Sequence, residues 1–498
     1  MASTNRPADP LAKGTLATAK QGLKDLFIWD QRVVVRNDYG EEHCEWQKPE
    51  PLKNPFSLFA QLRLKDWLYF VVGFLAWTAD AFDFHALSIQ TTKLAKYYHQ
   101  SNTSITTAIT LTLLLRSVGA AFFGLAGDKF GRKWPMVLNM IILGLLQIAT
   151  IYSATFQQFL AVRALFGLFM GGVYGNAISM ALENCPTNAR GLMSGILQQG
   201  YSFGYVLAAC ANLGVGDSVN SWKTVFWIGA GFSIAIGLVR IAFPESKQFI
   251  EAKKAGKSGK TPGAFWVETK AMLKKEWRMC LYCIFLMTWF NFYSHTSQDS
   301  YTTFMKQSKH LSPAGANHWP ACVGGTILGY GSQFFGRRRT IVCAAFISGC
   351  LIPAWILPTT ERGLEPGVLF RFICLSCRLL LSVTSFVGIT YQLGNMISSP
   401  SAQIVNAVAE ATMITTSKGT KSPAYGPVMG VATAIIVIGI MCTTALGPEK
   451  KGRHFEQAGP IGAQDLNAPK DIEEGSIHSE KDGARAVEIV DENHKEKA

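Results

Sequence analysis

The stretch Gly124–Lys133, GLAGDKFGRK, is a short basic loop between two long apolar runs. A second copy, GYGSQFFGRR, begins at Gly329 between two later apolar runs. Gly124, Gly131, Arg132 and Lys133 match Gly329, Gly336, Arg337 and Arg338 at a constant offset of 205 residues. Both copies fall between the second and third apolar runs of their half, so the repeat predicts a chain built from two equivalent halves.

The surrounding composition says what kind of halves these are. Of 498 residues, 48% are hydrophobic and only 16% charged, whereas soluble domains carry about a quarter charged residues. The charges gather in residues 1–66, 244–278 and 447–498. A membrane span needs ~20 predominantly apolar residues. Six such runs lie at about 67–90, 105–127, 136–155, 158–182, 192–213 and 223–243. More follow at about 279–297, 319–335, 340–357, 368–397 and 428–446, the fourth long enough for two helices joined by a turn. The expected fold class is therefore an all-α integral membrane protein of two six-helix bundles, nominally twelve spans. Its expected divisions are an N-terminal tail (1–65), a first bundle (66–243), a central loop (244–278), a second bundle (279–446) and a C-terminal tail (447–498). The second tail is rich in Lys, Glu, Asp and Gly, a composition without a packed core, and its lysines suit ubiquitin-type turnover.

Orientation follows from Lys and Arg in the short loops. DKFGRK (128–133), GRRR (336–339) and the central loop are basic, while loops 152–158 and 214–222 are nearly uncharged. Both termini and the central loop are thus expected in the cytosol, and the sequon at Asn102 outside, close to helix ends and unmodified. The N-terminus shows no apolar core behind a basic start, so the first apolar helix is expected to direct insertion. The net charge of +13 sits in loops beside apolar segments, not among aromatics, which argues against nucleic-acid binding. Eleven Cys lie mostly inside apolar runs. Cys374 and Cys377 form a lone CxxC, read as buried thiols, and no metal site or cofactor is expected.

The pattern G-x-x-x-D-[RK]-x-G-R-[RK] resembles the loop signature of the major facilitator superfamily, and Arg163-x-x-x-Gly167 and Pro244-Glu-Ser fit the same superfamily. NFYSHTSQDSYTT (291–303) is similar to the signature of the fungal lactate/pyruvate:proton symporters, the Jen-type carboxylate permeases, as is YQLGNMISSPSAQI (391–404). The resemblance spans roughly residues 55–455. It implies proton-coupled uptake of a short monocarboxylate across a plasma membrane, without enzyme chemistry. It also implies that the 128–133 loop, with Asp128, helps latch one conformation; the second copy has Gln333 instead and a weaker latch.

On a helix, Asn291, Ser294, His295, Gln298 and Thr302 share one face, with Asp299 at its edge. Such a face should look into the bundle or a cavity, not at lipid. His295 and Asp299 stand at i,i+4 and can hold or release one proton; Asn291 and Gln298 offer amide donors to a carboxylate. The alternative is that these residues only bond the helix to its neighbours. In WTADAFDFH, Asp80 and Asp83 stand at i,i+3, just before His85; they suit either proton coupling or a structural salt bridge. Arg116, mid-run with no acid nearby, needs an anion: the substrate carboxylate, or Asp80 or Asp83. Arg163 reads as structural or gating. Gln198, Gln199, Tyr201, Gln392 and Asn395 are candidates to line the path or to act as interhelical glue. Gly167, Gly171 and Gly175 make small-xxx-small spacings for close packing.

The second half departs from the pattern. WPACVGGTILGY gives only about twelve apolar residues before GRRR, and Pro320 stands near its start. Glu183, Pro186 and Arg190 precede GILQQG, but the aligned positions before GITYQLG are Ser376, Leu379 and Val383. Residues 369–386 read as an unrelated insert, by a fault in the gene model or by divergence. The rival functions are transport of dicarboxylates or of other organic or sugar acids, and a non-transporting sensor or inactive product.

Overall fold

The computed structural model describes residues 15–36, 42–48, 51, 54–183, 185–186, 189–216, 218–245, 262–307, 326–327, 330–332, 334–358, 386–415 and 421–447. The N-terminal tail has local structure of its own. Helix α1 (Thr15–Leu26) is followed by an antiparallel hairpin of β1 (Gln31–Arg36) and β2 (Glu42–Gln47), with Gln31 opposite Gln47. Helix α2 (Pro55–Phe59) opens on Asn54, whose side chain accepts from the Phe56 N–H, and Pro55 takes the first helical position, where no N–H is needed.

Seven helices form the first half: α3 (Leu64–Ile89), the short α4 (Thr91–Tyr98), α5 (Asn102–Phe130), α6 (Lys133–Ile151), α7 (Phe156–Glu183), α8 (Arg190–Val215) and α9 (Trp222–Ile241). The six expected spans fall on the six long ones. The second half contributes α10 (Pro262–Gln298), α11 (Tyr301–Gln307), α12 (Arg337–Ile356), α13 (Phe386–Ser398) and α14 (Ser401–Ala411). A small hairpin of β3 (Met413–Thr415) and β4 (Lys421–Pro423) leads into α15 (Tyr425–Leu446). Among the described residues, seven helices have the length and hydropathy to cross a membrane. Their outward side chains, such as Leu114, Phe122, Leu145, Phe346 and Ile435, are large, apolar and exposed, as lipid-facing groups must be. The chain is a multi-pass membrane protein.

Two boundaries differ from the sequence expectation. Helix α10 begins at Pro262, inside the stretch expected as loop, because ETKAMLKKEW is made of strong helix formers that continue into the apolar run. The long run expected at 368–397 is described only from residue 386, where it forms α13 and then, past Ser399-Pro400, α14. Pro400 has no N–H to continue the helical ladder, so the helix is interrupted there. The short run before GRRR lies partly outside the described residues. Ser376, Leu379, Val383 and the Cys374–Cys377 pair lie wholly outside them, as does the C-terminal tail beyond Gly447.

The repeat is visible in the backbone. Gly131 and Gly336 both have positive φ, 88° and 86°, so the chain makes the same turn in both copies, at a conformation that favours glycine. The partners of the two loops differ. In the first, the Lys133 N–H donates to Glu245 Oε2 at 3.0 Å, joining the loop to the Pro244-Glu-Ser segment. Gly124 is exposed; the side chains of Asp128 and Gln333 lie outside the described residues. In the second, Arg338 donates to the carbonyls of Thr444, Ala445 and Gly22, and Arg339 to those of Asp25, Leu26 and Trp29. These arginines therefore bind the C-terminal carbonyls of α15 and α1, a favourable place for positive charge. Arg337 is exposed.

Helices in lipid gain little from apolar burial against one another, so close backbone approach must supply the contact. The α5–α7 crossing shows it: a Cβ on Gly167 would overlap the Thr112 carbonyl, one on Gly171 the Arg116 carbonyl, and one on Gly119 the Leu168 carbonyl. Gly175 does not share this role, since a Cβ there meets nothing within 4 Å. Gly171→Val should therefore lower the thermal midpoint of the detergent-purified protein or prevent its recovery as a monodisperse peak. Gly175→Ala should leave it unchanged or slightly raised. Equal sensitivity at both positions, measured by size exclusion after heating, would contradict this packing.

Candidate functional site

The site is built on α10 and α13, where they meet the first half. The polar face expected on α10 is inward: Asn291, Ser294, His295 and Asp299 are all buried, and Gln298 is half-buried. Helix α10 ends at Gln298, but the Asp299 N–H still donates to the His295 carbonyl at 3.1 Å, which keeps the two side chains one turn apart. His295 Nδ1 lies 2.8 Å from Asp299 Oδ2. On its other side, His295 Nε2 lies 3.3 Å from Asn395 Oδ1. The Asn395 amide is oriented by its own Nδ2–H, which donates to Gln392 Oε1 at 3.2 Å.

This line of groups, Asp299–His295–Asn395–Gln392, has a chemical consequence. Both ring nitrogens of His295 face acceptor oxygens, which suits an imidazolium donating twice. A neutral ring has one N–H and loses one of those bonds, unless the Asn395 amide turns over. The proton state of His295 is thus tied to the connection between α10 and α13.

Asn291 spends one of its two amide N–H groups inside the protein. Its Nδ2–H already donates to the Tyr391 carbonyl at 3.2 Å, leaving Oδ1 as the unused acceptor. Among the described residues, Asp299 Oδ1, Gln392 Nε2, Ser300 Oγ and Ser401 Oγ are also buried without a hydrogen bond. Open buried atoms occur elsewhere among the described residues too, as at Asp80 Oδ1, Arg116 Nε, Asn139 and Asn406; a polar ligand at this face would satisfy those here. The first half closes on the same place. The Ser88 hydroxyl donates to the Asp299 carbonyl at 3.1 Å, Ser117 donates to the Gln392 carbonyl, and the Phe84 and His295 rings are 5.8 Å apart.

The acids of α3 separate into two roles. Arg116 Nη2 lies 2.6 Å from Asp80 Oδ2, both side chains buried, so the intramolecular alternative for Arg116 is the one the structure adopts. Its guanidinium also lies 5.7 Å from the Trp77 ring centroid. Asp83 accepts from Gln147 Nε2 and the Ser233 hydroxyl, each at 2.8 Å. Gln147 Oε1 in turn accepts from Arg163 at 2.6 Å, and Arg163 sits against the rings of Phe159, Phe166 and Phe226. Gln147 is therefore a neutral bridge between a buried cation and a buried acid. Sequence reasoning missed Gln147 and Ser233; a lone Gln inside the apolar run GLLQIATI was the available signal. Gln198 and Gln199 are buried, and His85 lies between the rings of Tyr201 and Tyr205 at 4.8 and 4.7 Å.

An aromatic bridge joins the two groups of residues. Trp77 packs on Tyr174 at 4.5 Å, and Tyr174 packs on Tyr391 at 4.7 Å, next to the carbonyl that Asn291 binds. Packed rings thus connect the polar groups of the two halves.

The comparisons agree with this architecture. The family described as Major Facilitator Superfamily matches residues 68–413, and the chain belongs to it. It is similar to the carboxylic acid transporter protein homolog of Saccharomyces cerevisiae, 27% identical over 481 residues that cover 88% of this chain and 78% of that one. It also resembles the sialic acid transporter NanX of Escherichia coli, 32% identical, covering 30% of this chain and 36% of that one. The 4-hydroxybenzoate transporter PcaK of Acinetobacter baylyi is 27% identical, covering 40% of this chain and 45% of that one. The chain thus spans less than half the length of these two bacterial relatives. Among solved structures, the xylose transporter XylE from E. coli in a partially occluded inward-open conformation superposes with a TM-score of 0.57 at 13% identity. That match covers 76% of this chain and 97% of the other and supports the shared fold.

Breaking one side of the Arg116–Asp80 pair should cost about 3–5 kcal/mol, because a buried charge is left alone. Asp80→Asn is expected to lower the thermal midpoint in detergent sharply, and Asp80→Asn with Arg116→Gln to recover most of the loss. A double variant no better than the single would show that the pair does not hold the fold.

Proposed function

We propose that this chain carries a short monocarboxylate, lactate or pyruvate with acetate and propionate as further candidates, into the cell together with a proton, by alternating access. The observation that carries the proposal is His295, buried between Asp299 and Asn395 where the two halves meet. Membership of a transporter family and the named relative in S. cerevisiae supply the substrate class. The membrane is the plasma membrane, with both termini and the basic loops cytosolic, and lysines on the tails are the points of regulated turnover.

Physical reasoning makes the coupling worthwhile. An anion entering against a negative-inside potential is opposed by ~2.3 kcal/mol per charge per 100 mV. One proton carried with a monocarboxylate makes the step electroneutral. His295 and Asp299 hold that proton. Gln392 Nε2 donates to the carboxylate, and Asn291 Oδ1 accepts from a hydroxyl where the substrate has one. Ser294 and Gln298 complete the face. Asp80 already holds Arg116, so the cation acts on the anion only when Asp80 releases it.

A second acid class has one observation in its favour. The rings of Trp77, Tyr174, Tyr201 and Tyr391 pack beside these groups and would suit an aromatic acid.

Uptake of labelled lactate in cells lacking their own carboxylate permeases, with an imposed inward proton gradient, tests the proposal. Wild-type uptake should follow the gradient. His295→Ala should abolish it, and Asp299→Asn should abolish it or separate it from the gradient. Full gradient-driven uptake by both variants would exclude this pair as the coupling site. Competition by 4-hydroxybenzoate stronger than by pyruvate would favour the aromatic class.

A further inference from the structure

At the end of the bundle opposite the basic loops, one carboxylate bridges the two halves. Glu410, in the last turn of α14, accepts from the Thr103 hydroxyl at 2.7 Å through Oε2 and from the Tyr425 hydroxyl at 3.2 Å through Oε1. Thr103 lies in the first turn of α5, in the first half; Tyr425 opens α15, in the second. Glu410 is half-buried and Tyr425 fully buried. The N-terminus of a helix as long as α5 favours a negative charge, so Glu410 is held there by two hydroxyls and by the helix dipole.

Between Glu410 and the His295 site, the α5–α14 seam has few other polar links. The Thr110 hydroxyl donates to the Ser399 carbonyl at 3.2 Å, and Gln403 Nε2 approaches the Thr107 hydroxyl at 3.5 Å, the limit for such a bond. Of these links, only the one at Glu410 involves a charged group. Charge-assisted bonds are roughly twice as strong as neutral ones, so this contact contributes most to holding the seam shut.

We propose that Glu410 is a latch that closes this end of the transporter, and that its bond to Thr103 must break before the site opens to the outside. The inference rests on the orientation under Proposed function, in which this end is the outer one. It does not rest on which carboxylate is carried. Glu410 is a positioning residue: it sets which side the site faces and touches no substrate.

The test reads access directly, in membranes carrying the full-length chain. Ser399→Cys places a reporter thiol on the seam, and a membrane-impermeant maleimide is added from the outside; the same chain without that substitution gives the background. Thr103→Val removes only the hydroxyl that meets Glu410, and Glu410→Ala removes the carboxylate. Each should raise the labelling rate of the reporter thiol by roughly tenfold or more, the scale set by losing one charge-assisted bond. Thr103→Val decides the matter should Glu410→Ala fail to fold. Unchanged labelling in folded Thr103→Val protein would overturn the latch. A rise seen only with reagent at the opposite face would overturn its assignment to the outer side. No substrate is needed, so a chain that takes up no lactate still answers the question.

Discussion

A charge buried among apolar helices has to be answered inside the protein, because neither lipid nor water is there to answer it. That constraint organises this molecule. Arg116 is answered by Asp80 at 2.6 Å. Arg163 is answered by Gln147 and three aromatic rings, and Gln147 passes the connection to Asp83. These residues come from α3, α5, α6 and α7, and Ser233 adds α9. The first half is therefore cross-linked through its centre by polar bonds, while glycines allow α5 and α7 to touch along their backbones.

The second half uses the same constraint differently. His295 and Asp299 are as buried as the pairs of the first half, but their surroundings are incompletely satisfied. Asp299 Oδ1, Asn291 Oδ1 and Gln392 Nε2 make no hydrogen bond among the described residues. Open atoms occur in the first half too, at Asp80 Oδ1, Arg116 Nε and Arg163 Nε among the described residues; the proposed proton and substrate positions are placed on α10 and α13 because His295, a group able to gain and lose a proton, stands there between two acceptor oxygens.

Much of this was legible in the sequence. Apolar runs of ~20 residues have one stable form in a membrane, so the helices of the first half could be bounded within a few residues. The loop repeat gave the two halves, and both motif glycines adopt the positive φ that turn demands. Helical phasing brought Asn291, Ser294 and His295 to one buried face. Which helix answers which charge was not legible, because that depends on packing between segments far apart in the chain. Arg116 had three open partners, a substrate carboxylate, Asp80 and Asp83, until the structure paired it with Asp80. Gln147 and Glu410 carry no motif; each matters through a neighbour 16 to 307 positions away. One N–H of the Asn291 amide was also not legible in its use: it donates to the Tyr391 carbonyl, a hundred positions away.

The central claim is that the anion and the proton occupy the protein together. Calorimetry of lactate binding to the purified protein, in buffers of different ionisation enthalpy, reports the protons taken up per ligand bound. The account predicts that this number rises toward about one as pH is raised across the range in which histidine titrates. It also predicts that the linkage disappears in His295→Ala protein that still binds lactate. Lactate binding with no proton uptake at any pH between about 5 and 8 would contradict it.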